Sequence, residues 1–193
     1  MAADHGGDTV LAYLAILMRV INRINIIVGH TFSWLAVGIF AVCFWVVIER
    51  YFFGQTRLWM QDLYVWMNGA MFTAVAAFAL FRNDHVRVDI FFRTASLRRK
   101  AVMDMIGVCL FLLPFMYIVW IYSFPNVMRS WSRFEASANV GGMPGLFLLR
   151  TFILVFAALV ALQGIAMLIR SVLILAGRED LIPDNFRYRY ETE

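Results

Sequence analysis

The stretch LWMQDLYVWMNGAMFTAVAAFALF, residues 58–81, is an apolar run with a polar head, and the arginine-bearing segment RNDHVRVDIFFR follows it at residues 82–93. From residue 63 onward the run carries two clearly polar side chains, Asn68 and Thr73. At about 1.5 Å per residue, it is long enough to cross the ~30 Å hydrocarbon layer of a bilayer. The stretch therefore predicts a transmembrane helix over residues 63–81, around which the other segments are arranged.

One face of this predicted helix carries almost no side-chain bulk. Gly69, Thr73 and Ala77 recur at every fourth position, so they share a face of the helix. Small residues let two membrane helices approach closely, and such packing is a main source of helix association in lipid. The partner of this face is either another helix of the same chain or a helix of a second protein.

Composition restricts the class of protein. The chain has 193 residues, of which 62% are hydrophobic and only 16% charged, and its mean hydropathy is +0.73. A water-soluble domain of this size could not bury so much apolar surface, which indicates an integral membrane protein. The net charge of +4 comes from arginines in short segments that flank apolar runs, so it predicts no nucleic-acid binding.

Three further apolar runs complete a four-span pattern, at residues 26–48, 105–122 and 146–175. Pro114 lies in the middle of the second of these runs and should kink it, because proline removes a backbone donor. Asn68, in the stretch quoted above, and Gln163, inside the last run, are both expected to bridge helices through their side-chain amides. The sequence thus predicts an all-α integral membrane protein with four transmembrane helices.

The segments outside the spans are short. Residues 1–8 are polar and glycine-bearing, and we expect them to be disordered. Residues 9–23 combine apolar residues at helical spacing with arginines, which predicts an amphipathic helix on the membrane surface, or one that merges with the first span. We expect a single transmembrane domain over residues 9–177 and a cytoplasmic tail over residues 178–193.

The distribution of basic residues predicts the orientation. Four spans place both termini on one side of the membrane, and cytoplasmic segments carry an excess of Lys and Arg. The side of the termini would hold Arg19, Arg23, Arg82, Arg87, Arg93, Arg98, Arg99, Lys100, Arg170, Arg178, Arg187 and Arg189. The other side would hold Arg50, Arg57, Arg129, Arg133 and Arg150. Both termini are therefore expected in the cytoplasm, and the loop after the third span is expected on the outer face.

No reaction centre is evident from the residue pattern. Catalysis requires a nucleophile with a base, or a cluster of ligands, in one pocket, and no such constellation stands out. His30 and His85 both lie near the expected cytoplasmic boundary, where they could ligate a haem only by facing each other across two helices. Asp62 and Asp104 lie near helix ends, where interfacial anchoring is the preferred interpretation over ion or substrate binding.

Several short motifs resemble one family of membrane proteins. The run HVRVDIF at residues 85–91, after a span headed by Trp59 and by QDL at residues 61–63, resembles the small (DctQ-like) membrane subunit of tripartite ATP-independent periplasmic (TRAP) transporters. The pair RY at residues 50–51 also fits that pattern. The resemblance covers about residues 22–177, and the N-terminal extension is longer than in the shortest members.

A second set of motifs is similar to one branch of this family. The segment before the last span contains Glu135, Ser137, Asn139 and the tripeptide GMP at residues 142–144. The span itself contains LQG at residues 162–164. These features are similar to the branch associated with mannitol or chloroaromatic compounds.

The resemblance implies a division of labour in a bacterial inner membrane. A periplasmic binding protein captures an organic acid or related solute, and a large multi-span permease subunit moves it together with sodium. The small subunit would act as a non-catalytic scaffold beside that elevator-type subunit, with no cofactor and no substrate site of its own. Bound phospholipid is expected in grooves lined by Arg and Trp.

The resemblance also suggests which residues to examine. Candidates for the large-subunit interface or for structural motifs are Arg50, Trp59, Asp62, Gly69, Thr73, Ala77, His85, Asp89 and Gln163. Candidates for contacts on the periplasmic face are Arg133, Glu135, Ser137 and Asn139. If the turn at residues 85–89 is helical, His85 and Asp89 are four apart and could share a hydrogen bond.

Two other functions remain open at the level of sequence. The chain could be the membrane anchor of a haem or quinone redox enzyme, which predicts a visible haem absorbance band. It could also be an autonomous four-span transporter, which predicts uptake by this chain alone in liposomes.

Overall fold

The computed structural model describes residues 5–82 and 95–188, and these residues form helices and turns without any strand. Four helical stretches in the described residues are long and apolar enough to cross a membrane: Gly7–Phe52, Leu58–Phe81, Leu97–Ser132 and Leu146–Leu175. The predicted all-α architecture with four spans is thereby confirmed.

The first stretch contains two helices, α1 (His5–Ser33) and α2 (Leu35–Phe52), which meet at Trp34. The Ser33 hydroxyl donates to the Gly29 carbonyl at 2.7 Å, and back-bonding of this kind bends helices. Residues 5–8, which were expected to be disordered, are helical. Residues 9–23 are continuous with the rest of α1, so a separate interfacial helix is not confirmed, and the helix extends well beyond the predicted bounds of 26–48.

The second and third stretches are also longer than predicted. Helix α3 spans Leu58–Phe81. After the undescribed residues come α4 (Leu97–Gly107), a π-helical segment (Val108–Leu112) and α5 (Leu113–Ser132). Pro114 lies in the first turn of α5, directly after the π-helical segment. Because proline cannot donate a backbone hydrogen bond, the helix is irregular at the position where the kink was predicted.

The last long helix, α6 (Leu146–Leu175), has the bounds that the sequence predicted and lies at the centre of the protein. It packs against α1, α3, α4 and α5. Its core side chains include Leu159 and Leu173, which are buried among residues of these neighbours. Two short 3-10 turns follow, Glu179–Leu181 and Asp184–Phe186.

Successive stretches run in opposite directions, which gives the bundle two distinct ends. At the "loop end", the α5–α6 loop (residues 133–145) lies against the start of α3, where the Met143 amide donates to Asp62. At the "terminal end", the start of α1 lies beside the residues after α6, where Asp8 pairs with Arg178. Both described termini are therefore at the same end of the bundle.

Close helix contact in the bundle depends on glycine in α1 and α2. A β-carbon at Gly29 would overlap the Phe78 ring of α3, and one at Gly38 would overlap the Met67 side chain. The absence of a β-carbon at these two positions lets α1 and α2 pack tightly against α3, as is common between membrane helices.

Candidate functional site

Several of the polar side chains buried in this apolar bundle form three hydrogen-bonded groups at different positions along its length. We name them the Asp62 cluster at the loop end, the amide cluster in the middle, and the Arg170 cluster at the terminal end. Each is described below with the residues that form it.

The Asp62 cluster joins the head of α3 to the α5–α6 loop. The Asp62 carboxylate is only 8% exposed. It accepts hydrogen bonds from Asn139 Nδ2 at 2.9 Å and from the Met143 backbone amide at 3.0 Å. The Ser137 hydroxyl is a third hydrogen-bond partner. Three donors thus surround one carboxylate, an arrangement that stabilises its ionised form and fixes the loop against α3.

The loop is shaped to reach this carboxylate. Ser137 donates its backbone amide to the Met143 carbonyl at 3.1 Å, and Gly142 donates to the Asn139 carbonyl at 2.9 Å. A β-carbon at Gly142 would overlap the Asp62 carboxylate and Ser137, so only glycine fits this position. At the tip of the loop, Val140 is 94% exposed. The carboxylate therefore anchors a loop whose tip projects into solvent.

A second set of contacts supports the base of the same loop. Arg150 of α6 forms a salt bridge with Glu135 at 2.8 Å and donates to Asn126 Oδ1 of α5 at 3.1 Å. The Trp131 indole N–H donates to the Thr151 hydroxyl at 2.9 Å. These bonds tie the end of α5 to the start of α6, so the loop between them is held at both its base and its middle.

From its sequence context, Asp62 was a candidate for the large-subunit interface or for a structural motif. Ser137, Asn139 and Glu135 were candidates for contacts on the periplasmic face. The structure brings the first three together in one hydrogen-bonded cluster and places Glu135 nearby. Arg133 is exposed beside them.

Two further candidates, Arg50 and Trp59, lie exposed at the loop end. Between them, the buried Glu49 pairs with Arg57 at 3.4 Å. The exposed side chains leave this surface accessible to another molecule.

The small-residue face of α3 is used largely within the chain. Ala77 is fully buried, and Ala70 and Ala74 beside it are also buried. Gly69 faces Leu149 of α6, whereas Thr73 donates its hydroxyl back to the Gly69 carbonyl at 2.8 Å. Of the two partners considered for this face, a helix of the same chain is the one that the structure shows for Ala77 and Gly69.

The amide cluster links α1 to α6. Asn25 Nδ2 donates to Gln163 Oε1 at 2.7 Å, and Gln163 Nε2 donates to Asn22 Oδ1 at 3.2 Å. Gln163 is fully buried. The expectation that Gln163 bridges helices is therefore confirmed. The same expectation for Asn68 of α3 is wrong, because its side chain is exposed on the outside of the bundle.

The Arg170 cluster was not predicted. Arg170 of α6 is fully buried and donates to Asp104 Oδ2 of α4 at 2.7 Å and to the Phe186 carbonyl at 3.1 Å. Its guanidinium carbon lies 4.4 Å from the centre of the Phe186 ring and 4.2 Å from that of Tyr188. The cation is thus paired, hydrogen-bonded and placed between two aromatic rings, which offsets the cost of burying it.

The residues after α6 supply half of this cluster. The Tyr188 hydroxyl donates to Asp104 Oδ2 at 2.7 Å, and Phe186 stacks on Phe81 of α3 with ring centres 5.3 Å apart. Burial raises the pKa of Tyr188 above its usual range; the positive charge of Arg170 opposes this shift, and the Asp104 carboxylate adds to it. The expected cytoplasmic tail is therefore packed against the bundle as far as residue 188.

One signal in the sequence could have indicated this cluster. Arg170 lies inside the predicted fourth span, and Asp104 lies at the start of the third. Opposite charges at the same end of two membrane helices are expected to pair, because an isolated charge is costly there.

These three clusters connect helices to one another and to the segments that follow them. Among the described residues, no group of three or more His, Cys, Asp or Glu side chains is placed to hold a metal ion. His30 Nδ1 lies 2.9 Å from the Ile26 carbonyl oxygen, and its ring packs on Phe78 with centres 5.1 Å apart. His85 and Asp89, which were predicted to share a hydrogen bond, lie outside the described residues.

The fold and the clusters define a multi-pass α-helical membrane protein in which buried polar side chains connect the helices. Residues 39–173 match the family described as tripartite ATP-independent periplasmic transporters, DctQ component. This match covers most of the chain, and the chain belongs to that family, a transporter component. No curated protein and no solved structure gives a significant match.

Proposed function

We propose that this chain is the small, non-catalytic permease subunit of a sodium-coupled TRAP transporter and that it scaffolds a large elevator-type permease subunit. The observation that carries the proposal is the family match over residues 39–173, which covers the end of the first long apolar helical stretch and nearly all of the other three. The large subunit would bind sodium and solute, and this chain would hold neither a cofactor nor a substrate.

The way the chain uses its polar residues supports a static role. Asp62, Gln163 and Arg170 each connect two or more segments that are distant in sequence. In lipid, such bonds orient helices relative to one another, and buried pairs oppose rearrangement. A subunit built in this way can present a fixed surface against which another domain moves.

The proposed orientation places the terminal end in the cytoplasm and the loop end in the periplasm of a bacterial inner membrane. The excess of arginines on the side of the termini supports it. The anchored loop at residues 133–145 would then face the periplasmic binding protein. Four candidates would lie at or beneath that contact: Arg133, Glu135, Ser137 and Asn139. Arg50 and Trp59 would lie on the same side of the membrane.

The transported solute is proposed only at the level of chemical class. An organic acid or related solute follows from the family, and the motifs at residues 135–144 and 162–164 favour the branch associated with mannitol or chloroaromatic compounds. Phospholipid would fill grooves between the two subunits, where arginine and tryptophan side chains meet headgroups.

Co-purification and reconstitution test the proposal. The tagged chain is purified from its native membrane in mild detergent, co-purifying proteins are identified by mass spectrometry, and the absorbance spectrum is recorded. We expect a large multi-span protein in near-equal amount from a colourless sample. Liposomes containing both proteins and the binding protein should accumulate solute in a sodium gradient, and omission of either membrane protein should abolish uptake.

Two results would overturn this proposal. Uptake by this chain alone would establish an autonomous transporter. A haem absorbance band, together with a co-purifying redox subunit, would establish a membrane anchor of a redox enzyme.

A further inference from the structure

The chain reverses direction directly after α6. Gly177 has a φ of +74°. Its amide donates to the Ile174 carbonyl at 3.1 Å, and the amide of Arg178 donates to the Leu173 carbonyl at 2.9 Å. These two bonds and the left-handed glycine form the Schellman motif that commonly ends helices. The residues that follow, 178–188, lie back across the terminal end of the bundle, and we name them the strap.

The strap is braced by its own polar contacts. Arg187 donates to the Ile182 carbonyl at 3.0 Å and to the Glu179 carbonyl at 3.3 Å. It also pairs with Asp184 at 2.9 Å. Because these contacts join residues inside the segment, they do not depend on contact with the bundle. The strap can therefore move as one piece, and Gly177 supplies a joint with wide conformational freedom.

The edge of the strap is held to α1 by exposed polar contacts. Arg178 pairs with Asp8, whose side chain is 57% exposed, and Arg19 donates to the Leu181 carbonyl at 3.1 Å. Exposed ion pairs contribute little to stability, because water competes for both partners. The start of α1 and the strap both lie outside residues 39–173, which the family match covers. These contacts therefore join two segments beyond the matched region.

Burial of a few side chains supplies most of the attachment. Ile182 is 3% exposed, Tyr188 is 7% exposed and Phe186 is fully buried. Segments with few buried apolar contacts and with exposed hydrogen bonds open locally at a lower free energy than the core does. The helices beneath the strap satisfy their own backbone groups, so its opening does not require them to unfold.

The closed strap covers the buried cation of the bundle. Of the groups described in contact with the Arg170 guanidinium, the Phe186 carbonyl and the Phe186 and Tyr188 rings belong to the strap. Asp104 belongs to α4. The side chains of the Arg170–Asp104 pair are 0% and 9% exposed, and attraction between charges is stronger where water is excluded. The position of the strap therefore controls how far water reaches this pair.

We propose that the strap is a closure at the terminal end, which opens and shuts about Gly177 while the helix bundle stays folded. When shut, it excludes water from the Arg170–Asp104 pair and ties the start of α1 to the end of α6. When open, it admits water to the buried charges and releases the first turns of α1. This device is built from the chain's own residues and does not require the proposed partner subunit.

Thiol labelling of the full chain tests this closure. Cys43 and Cys109 are replaced by alanine. A single new cysteine is then introduced by Ser171→Cys, next to Arg170, or by Ser130→Cys, near the loop end. The two serines are 0% and 1% exposed, and cysteine is close to serine in size. The rate of reaction with a water-soluble maleimide measures how often water reaches each position.

Phe186→Ala removes the most deeply buried side chain of the strap. We expect labelling at position 171 to accelerate by at least about tenfold, because truncation of a buried ring shifts the local opening equilibrium. Labelling at position 130 should stay unchanged. Equal acceleration at both positions would show that the whole bundle opens, and no acceleration at position 171 would show that the strap does not exclude water. Either result overturns the proposal.

A charge reversal provides a second measurement that leaves the core intact. Asp8→Arg places a like charge opposite Arg178 at an exposed position, so the protein should still fold. We expect labelling at position 171 to accelerate about threefold, in keeping with the small contribution of an exposed pair. Adding Arg178→Glu restores opposite charges and should return the rate toward the original value. The same rate in all three proteins would refute the tie between the strap and α1.

Discussion

Asn139 Nδ2, in the loop before α6, donates a hydrogen bond of 2.9 Å to Asp62 Oδ1 at the head of α3, 77 residues earlier in the chain. This bond connects two segments that have no local relationship in sequence. With the donors from Ser137 and Met143, it makes Asp62 the anchor of the middle of the loop. One carboxylate therefore fixes residues 137–143 against α3.

Replacing Asp62 by Asn should loosen the loop. The change keeps the shape of the side chain but replaces one acceptor oxygen by an NH2 group. That group would face the hydrogen-bond donors of Asn139, Met143 or Ser137, so at least one hydrogen bond is lost. A hydrogen bond to a charged group contributes about 2 kcal/mol, so amide exchange at residues 137–143 should accelerate by roughly 30-fold. Hydrogen exchange with mass spectrometry measures this rate. The control is Asp184→Asn, a largely exposed carboxylate at the other end, and equal exchange in both variants would contradict the anchor role.

Removing Asp104 should destabilise the protein strongly. Asp104→Leu leaves the buried Arg170 without its counter-ion, and breaking a buried pair in this way costs about 3–5 kcal/mol. The double variant Asp104→Leu with Arg170→Met removes both charges and should recover most of that loss. Thermal unfolding in detergent distinguishes the two. A double variant as unstable as the single one would show that the charge pair is not the cause.

The Arg170 cluster should also weaken at alkaline pH. The raised pKa of Tyr188 means that the folded protein favours the neutral phenol, so its contribution to stability is complete below a pH of about 10, the usual tyrosine pKa, and declines above it. Tyr188→Phe lacks this titration. The difference in melting temperature between the unsubstituted protein and this variant should therefore stay constant from about pH 8 to pH 10 and shrink between about pH 10 and pH 11. A constant difference over this range would contradict the assignment.

Gln163 and Asn68 provide a matched pair of amides. Gln163→Leu removes two hydrogen bonds to α1, each worth about 0.6 kcal/mol in membranes, so a loss of about 1 kcal/mol is expected. Asn68→Leu alters an exposed amide on α3 and should be close to neutral. The two variants are compared by thermal unfolding. The bridging role would be excluded if they unfolded at the same temperature.

Gly29 and Gly107 should respond in opposite ways to alanine. At Gly29 the new methyl group would overlap the Phe78 ring, so α1 would have to separate from α3 and the melting temperature should fall. At Gly107 no other side chain lies within 4 Å, and alanine favours a helix over glycine by up to about 1 kcal/mol. Gly107→Ala should therefore be neutral or stabilising. A stable Gly29→Ala variant would show that the α1–α3 contact is not tight.

Local features of the fold were predictable because they depend on neighbouring residues. The hydropathy of residues 146–175 predicted the bounds of α6, and the end of α3 at Phe81 followed from the charged segment after it. The irregularity at Pro114 was also predictable, since a missing backbone donor acts on its own helical turn. The sequence predicted a helix over residues 9–23 but left open whether it is separate or merges with the first span, because that choice depends on packing against α3 and α6.

The sequence by itself determined that this is a four-span helical membrane protein with a family relationship, since apolar length, helical spacing and motif order are all local properties of the chain. Only the tertiary structure decided which polar residues meet. These contacts depend on how far each helix is shifted along the bundle and how it is rotated about its axis. They join Asp62 to Asn139, Gln163 to Asn25, and Arg170 to Asp104 and Tyr188. The physical reason is that a buried polar group needs a partner wherever packing places it, and packing is a property of the assembled bundle.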